Sequence, residues 1–180
     1  MNFIFMGISI RRITVADVNT LSAIAKKSFY DTFTGTCTQE DMAHFLEAHF
    51  NEKQLAKELH TENSHYYFAE VNSFPVAYLQ FGEDYSGFPS MKKWKALELK
   101  RIYVLKEFHG GGVAQYLMEY YLAHALQHGY EVAWLGVWEH NIRAQRFYEK
   151  YGFAKSGYTH DFPIGKTPQT DVWLWKFLKD

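Results

Sequence analysis

The feature that most constrains the fold is a glycine-rich loop between two regular segments. Residues 96–105 nearly alternate apolar and polar side chains, as a strand does, and residues 113–128 carry apolar side chains at helical spacing. Between them, Gly110 to Gly112 are consecutive glycines, which tolerate positive φ and let several N–H groups turn toward one point. A helix that begins there adds partial positive charge. This order predicts a site for an anion such as a pyrophosphate.

A glycine run alone is as consistent with a plain tight turn, so its surroundings must decide. No Lys-Ser or Lys-Thr pair follows the glycines, which argues against a P-loop for nucleoside triphosphates. His109 and the glycines resemble an esterase oxyanion loop, but the chain has no Gly-x-Ser-x-Gly nucleophile motif. Neither of these two classes is therefore favoured.

A second group of residues follows an apolar segment, 131–138, that is typical of a central strand. Asn141 is positioned to cap a helix that ends before Gly152. Tyr148 lies seven residues after Asn141, so the two share one side of that helix. Considered singly, the first is as consistent with an ordinary N-cap and the second with a half-buried core tyrosine.

The remaining periodicity predicts an α/β fold with a mixed sheet of six to seven strands and helices on both faces. The 180 residues suffice for one domain with its own core. We expect a domain over residues 8–180, preceded by an N-terminal extension at 1–7. Residues 82–95 are interpreted as a polar loop.

Composition excludes several functional classes. With 19 basic and 20 acidic residues, the chain lacks the basic excess of a dedicated nucleic-acid binder. No apolar stretch approaches the roughly 20 residues of a membrane span. The single cysteine, Cys37, cannot form an internal disulfide, and the nine histidines show no convincing metal pattern. We therefore expect a cytoplasmic protein without a metal, and neither nucleic acid nor membrane as a partner.

Three motifs stand out in the chain: Ile102-Tyr-Val104, His109-x-x-Gly112-x-Ala114 and Asn141-x-x-Ala144-x-x-Phe147-Tyr148. Together they resemble the acetyl-coenzyme A (acetyl-CoA) site of the GNAT superfamily of N-acetyltransferases. The chain looks most similar to PaiA-type spermidine/spermine N-acetyltransferases, through the segments 29–33, 97–103, 134–141 and 169–171. His109 departs from the family pattern, which has Gln or Arg at that position.

The resemblance implies that the pantetheine arm of acetyl-CoA lies between the segments 96–105 and 131–138, like an added strand. It places the pyrophosphate at the glycine loop. The residues assigned to this cosubstrate are Ile102, Tyr103, Val104, His109, Gly110, Gly111, Gly112, Val113, Ala114, Gln115 and Asn141.

The resemblance also suggests catalytic roles. Tyr148 is the candidate general acid, since a phenol with a pKa of about 10 can protonate a departing thiolate whose pKa is about 8.5. Glu98 precedes Ile102 by four residues and is expected on the same strand face, where it could accept a proton from the amine. Tyr30 and Asp31 are the preferred pair for binding the acceptor.

The expected function is acetyl transfer from acetyl-CoA to a primary amine, with a polyamine such as spermidine or spermine as the preferred acceptor. Direct attack in a ternary complex is expected, because no nucleophile–base pair is evident. One alternative is an acetyltransferase that acts on a peptide or protein N-terminus or on another small amine. Another is an acetyl-CoA-binding sensor without catalysis. The family also makes a homodimer an expectation.

Overall fold

The computed structural model describes residues 7–178 and contains seven strands and five α-helices in that range. The strands are β1 (Ile8–Arg12), β2 (Ser64–Val71), β3 (Phe74–Gly82), β4 (Ala96–Val104), β5 (Val132–Trp138), β6 (Ala154–Asp161) and β7 (Thr170–Phe177). The helices are α1 (Val18–Phe33), α2 (Gln39–Phe50), α3 (Glu52–Leu59), α4 (Val113–Gln127) and α5 (Ile142–Lys150). The predicted extension at 1–7 lies outside the described residues except for Gly7.

All seven strands form one sheet in the order β1-β2-β3-β4-β5-β7-β6. Neighbouring strands are antiparallel except β4 and β5, which are parallel. Because a parallel pair needs a crossover, α4 connects β4 to β5 across one face of the sheet. The predicted mixed sheet is therefore confirmed, with seven strands.

Several helices begin at the capping residues that the sequence indicates. The side chain of Thr38 accepts a hydrogen bond from the Asp41 N–H at 3.1 Å and starts α2. The side chain of Asn51 accepts one from the Gln54 N–H at 2.9 Å and starts α3. Asn141 does the same for α5, as shown below. These short-range signals locate the helix starts.

Helices cover both faces of the sheet, as predicted. On one face, α1, α2 and α3 bury a cluster that includes Leu21, Phe29 and Leu55. On the other face, α4 and α5 contribute Leu117 and Tyr148 to a larger cluster. Burying side chains of this size contributes about 1.5–3 kcal/mol each, which holds the two helical layers onto the sheet. Among residues 7–178, no helix has the length and apolar character that crossing a bilayer requires.

Strands β4 and β5 separate soon after they begin. Their register pairs Ala96 with Val132 and Glu98 with Trp134, and no pair follows. Nevertheless β4 continues to Val104 and β5 to Trp138. The sheet therefore opens between the carboxyl ends of its two central strands, as the resemblance implied.

A bulge in β4 reverses the alternation of its side chains. Phe81 pairs with Leu99 and Gln80 with Arg101, so Lys100 is an extra residue in β4. Leu99 before the bulge and Ile102 after it both pack in the cluster under α4. Residues on either side of the bulge thus share a face at odd spacing.

The bulge contradicts one detail predicted for Glu98. Leu97 and Leu99 both face α4, so Glu98 between them points to the opposite face. Ile102 packs in the α4 cluster. The prediction that Glu98 and Ile102 share a face is therefore wrong, because an extra residue was inserted between them.

Candidate active site

A cleft of about 1340 Å³ occupies the opening between β4 and β5. Its walls are the ends of both strands, the glycine loop, α1 and α5. Most of the predicted site residues line it: Asp31, Ile102, Tyr103, Val104, His109, Gly110, Gly112, Val113, Ala114, Gln115, Asn141 and Tyr148. Residues that are far apart in sequence thus meet in one cavity large enough for an extended cosubstrate.

Three predicted residues do not line this cleft. Tyr30 is 46% exposed on α1 and lies outside it, whereas the neighbouring Asp31 lies inside. Gly111 belongs to the loop, but its N–H donates a long hydrogen bond, 3.4 Å, to the Phe108 carbonyl. Glu98 lines a smaller cleft, described below.

The glycine loop presents several unbonded N–H groups to the cleft. Gly110 and Gly112 have φ values of 81° and 87°, the left-handed region that glycine adopts without strain. In the described chain, the N–H groups of Gly110, Gly112, Val113, Ala114 and Gln115 have no acceptor. The first N–H groups of α4 are thus left for an outside partner, and the helix dipole favours an anionic one. This geometry matches the predicted pyrophosphate site.

His109 connects the loop to its neighbours. Its Nε2 lies 2.9 Å from the Val104 carbonyl oxygen, and Arg143 Nη1 lies 3.0 Å from its Nδ1. Because a guanidinium only donates, Nδ1 accepts, and Nε2 carries the proton that it donates to the carbonyl. His109 therefore joins the end of β4 to α5. Basic side chains gather nearby along the cleft, namely Lys106, Arg143, Arg146 and Lys150.

The start of α5 is fixed by two amide side chains. Asn141 Oδ1 accepts a hydrogen bond from the Ala144 N–H at 3.1 Å, so its carbonyl caps the helix while the residue lines the cleft. Gln145 is buried and donates to the carbonyls of Trp138 and Glu139 at 3.3 and 2.8 Å. Gln145 thus holds the end of β5 against α5. The sequence contains no signal for this role beyond a polar residue on an amphipathic helix.

Tyr148 lines the cleft and is buried, with only 7% of its surface exposed. Burial raises the pKa of its hydroxyl, and nearby Tyr103 and Asp171 raise that pKa further. The hydroxyl therefore stays protonated through the neutral range. That is the state in which a phenol can act as a general acid.

Asp171 is a cleft residue to which the sequence analysis gave no role. It lies on β7 opposite Trp138, and burial raises the pKa of its carboxyl to about 6. Within residues 7–178 the carboxylate has neither a hydrogen bond nor an ion pair. The only sequence signal was its place at the end of the segment 169–171 that carries the PaiA-type resemblance.

Glu98 lines a second cleft of about 390 Å³ on the α1–α3 side of β4. Burial raises the pKa of its carboxyl to about 7, although Lys100 lies nearby, with its Nζ 3.9 Å from Glu98 Oε2. Lys100 and Arg101 line both clefts. The two predicted catalytic side chains, Glu98 and Tyr148, are therefore in different cavities.

The wall of the large cleft on the α1 side of the sheet is mainly aromatic. Asp31 belongs to this wall but is paired with Lys27 Nζ at 2.8 Å, so its charge is partly neutralised. The aromatic side chains are Phe29, Phe33, Phe45, Trp138 and Phe162. In the part of the chain that the structure describes, no three His, Cys, Asp or Glu side chains gather in a possible metal site.

Comparison with known proteins identifies the family. The sequence matches the Acetyltransferase (GNAT) family over residues 25–153, which is more than half of the chain. The chain belongs to the acetyltransferase (GNAT) family. The matched range contains the glycine loop, the separated strands and Tyr148.

Two relatives extend the similarity of this GNAT protein over most of its length. An uncharacterized N-acetyltransferase in the pepI 3' region of Lactobacillus delbrueckii subsp. lactis is 35% identical over 172 residues, covering 96% of this chain and 98% of the relative. An uncharacterized N-acetyltransferase of Mycobacterium tuberculosis is 31% identical over 159 residues, covering 87% of this chain and 95% of the relative. The predicted acetyl-CoA-dependent acyltransferase is confirmed at the level of the family.

Solved structures confirm the GNAT fold. PaiA N-acetyltransferase of Thermoplasma acidophilum, in complex with coenzyme A, has a TM-score of 0.76 at 19% identity, covering 96% of this chain and 99% of that chain. The ribosomal-protein-S18-alanine N-acetyltransferase of Escherichia coli has a TM-score of 0.69 at 15% identity, covering 97% of this chain and 96% of that chain. Both structures share the fold of this GNAT protein, and a shared fold alone does not select an acceptor.

The unbonded loop amides lead to a prediction for Gly112→Ala. A Cβ at Gly112 has free space, but φ of 87° strains any side chain, so relaxation should turn the amides away from the phosphates. We expect the Kd for coenzyme A, measured by calorimetry, to rise by about tenfold, the value of one charge-assisted hydrogen bond.

The matched control for Gly112→Ala is Gly157→Ala. Gly157 in β6 has φ of 85° and equally open surroundings, but it does not line the cleft. This variant should carry similar backbone strain and keep the wild-type Kd. Equal effects of the two substitutions on affinity would contradict the role of the loop amides.

Proposed function

We propose that this GNAT protein transfers the acetyl group of acetyl-CoA to a primary amine, and that its acceptor is a polyamine such as spermidine or spermine. The observation that carries the proposal is the opening between β4 and β5, which joins the unbonded amides of the glycine loop to Tyr148 in one cleft. A long cosubstrate with phosphates at one end and a thioester at the other matches this arrangement.

The binding steps use main-chain groups for the most part. The loop amides and the basic residues of α5 would hold the pyrophosphate. The edge of β4 beyond Glu98 has no partner on β5, so the amides of the pantetheine arm can pair with it as a strand would. In the present structure His109 bonds the Val104 carbonyl, so the arm has to pair elsewhere on this edge or displace that side chain.

Direct attack by the amine accounts for the side chains that are present. Cys37, the one residue of its type, does not line the cleft, and burial raises the pKa of its thiol. A covalent acetyl-cysteine is therefore not favoured. We propose that Tyr148 protonates the leaving thiolate. Glu98 is the base that the sequence predicts, but its proton path would have to pass Lys100 and Arg101, which line both clefts.

The proposal of a polyamine acceptor rests on carboxylates. Asp31, Asp161 and Asp171 line the large cleft from three different elements, α1, β6 and β7. A chain with several ammonium groups could meet more than one of them, while its methylene segments lie on the aromatic wall. A single small amine would use only one carboxylate.

A thiol-release assay with acetyl-CoA tests the function. The acceptors are spermidine, spermine, aminoglycosides, amino acids and short peptides with a free N-terminus. We expect the highest kcat/KM with a polyamine and no acetyl-enzyme in intact-mass spectra. A peptide as the best acceptor would replace the polyamine proposal with the N-terminus alternative. Binding of acetyl-CoA without thiol release for any amine would favour the sensor and overturn the proposal.

A further inference from the structure

We propose that Asp171 binds the ammonium group of the acceptor and takes its proton before attack. This inference rests on the proposed function and deepens it, because it assigns the base to the same cleft that holds Tyr148. It replaces Glu98, whose side chain lies in the smaller cleft.

The position of Asp171 follows from the sheet. Its partners in register are Trp138 on β5 and His160 on β6. Val172 packs in the cluster under α4, so Asp171 points to the opposite face, the side on which α1 lies. Trp138 packs in the cluster on that side. Asp171 therefore faces the acceptor side of the opening.

Gly136 makes room for this carboxylate. A Cβ added at Gly136 would lie 3.1 Å from Asp171 Oδ2 and 2.6 Å from Cζ3 of Trp173. The missing side chain thus lets Asp171 lie against β5 in the part of that strand which has separated from β4.

Among the residues that the structure describes, no cation is paired with Asp171. The titratable groups near it are Tyr103 of β4, Tyr148 of α5 and His160 of β6, and Asp171 raises the pKa of both tyrosines. Burial raises its own pKa to about 6. An unpaired, mostly buried carboxylate is costly, and such groups are concentrated at functional sites. An acceptor ammonium would supply the missing partner, and Trp138 offers it an aromatic face.

The proton balance is complete with these groups. The ammonium gives one proton to the Asp171 carboxylate, and its lone pair forms the C–N bond with the thioester carbon. The C–S bond then breaks, and Tyr148 gives its proton to the sulfur. The tyrosinate takes the second proton from the new amide nitrogen, and Asp171 releases the first to solvent. The products are the N-acetyl amine, free coenzyme A and one proton.

The test compares Asp171→Asn with Glu119→Gln, an exposed carboxylate-to-amide change on α4. For Asp171→Asn we expect kcat/KM for the amine to fall by at least about 10²-fold, as removal of a general base does. The Kd for acetyl-CoA should stay the same. The Tm should not fall, because the variant removes a charge that burial disfavours. Asp171→Ala is measured in parallel, so a single misfolded variant does not decide the outcome.

The pH profile separates catalysis from structure. In the wild type, kcat/KM should form a plateau along the pH axis. The plateau should begin near pH 6, because the pKa of Asp171 is about 6, and it should end at the pKa of the acceptor amine. In Asp171→Asn the enzyme depends on amine that is already neutral, so kcat/KM should rise tenfold per pH unit up to that pKa. His160 on β6 pairs in register with Asp171, so His160→Asn is included and should keep the plateau.

The outcomes distinguish the inference from the proposed function. If the wild type releases thiol and Asp171→Asn keeps its rate and its plateau, the inference fails and the proposed function stands. If the wild type releases no thiol with any amine, both fail. A lower rate with an unchanged plateau would indicate a structural role and would also overturn the inference.

Discussion

Replacing Tyr148 by Phe should lower kcat by about 10²-fold or more, while the Kd for acetyl-CoA stays within about twofold. The substitution removes one oxygen and keeps the ring that packs in the α4 cluster. Without the hydroxyl, the thiolate has to leave without a proton donor. The measurement is steady-state thiol release with the best acceptor of the panel, together with calorimetric binding of acetyl-CoA.

The control for this prediction is Tyr151→Phe. Tyr151 caps the C-terminal end of α5, contacts Phe147 and does not line the cleft, so removal of its hydroxyl should not change turnover. Equal kcat values for the wild type and Tyr148→Phe would remove the general-acid role. A loss of acetyl-CoA affinity matching the loss of kcat would instead assign Tyr148 to binding.

The elements around the site were predictable because their signals are local. The glycine loop, the start of α4 and the caps Thr38, Asn51 and Asn141 each depend on residues close in sequence. The parallel arrangement and the separation of β4 and β5 were instead implied by the family resemblance. The loop and the helix starts therefore agree with the sequence expectation, while the residues assigned to acetyl-CoA stay a prediction.

The acceptor half was less predictable because it depends on register and on distant contacts. One extra residue at Lys100 moved Glu98 to the other face, and alternation alone gives no sign of such a bulge. Asp171 enters the cleft because β7 lies next to β5 in the sheet, although β6 separates them in sequence. The order of these strands in the sheet cannot be read directly from a single sequence.

The segment 82–95 is less polar than its interpretation as a loop suggests. Phe88 and Met91 are buried against Trp134 and Trp173, and a short 3₁₀ turn, Pro89–Lys93, places Met91 inward. Tyr85, Phe88, Met91 and Trp94 recur at every third residue, and all four pack in this aromatic cluster. The sequence therefore contained a signal for burial that the interpretation as a polar loop missed.

A partly buried charge network on the α3 side of the sheet leads to the prediction with the largest effect on stability. Arg101 Nη1 donates to Glu58 Oε2 at 2.8 Å and to the Tyr66 hydroxyl at 2.9 Å, and Tyr66 donates to Glu58. These contacts join β4, α3 and β2. Burial alone would raise the pKa of Glu58, but Arg101 and the hydrogen bonds hold that pKa below its usual value. The ionised side chains of Glu58 and Arg101 therefore stabilise each other.

Arg101→Met should lower the free energy of unfolding by about 3 kcal/mol, the lower end of the range for a buried pair, because the two side chains keep 20% and 19% of their surface exposed. Urea unfolding near neutral pH measures the loss. The pKa of Glu58 is lower in the folded state than its unfolded value of about 4.3. The stability that its ionised form contributes is therefore fully present above about pH 4.3 and is lost as the pH falls further. The difference between wild type and Arg101→Met should therefore shrink in acid.

The neighbouring lysine provides the control for this network. Lys100 pairs with Asp84 at 2.7 Å in a more exposed position, so Lys100→Met should cost at most about 1 kcal/mol. In the double variant Glu58→Gln with Arg101→Met, no buried charge remains unpaired, and part of the lost stability should return. Additive losses in that cycle, or equal costs for Lys100→Met and Arg101→Met, would show that the pair is not coupled. In that case the contact of the Arg101 guanidinium with the Phe50 ring, 5.0 Å from Cζ to the ring centroid, would be the source of the stability.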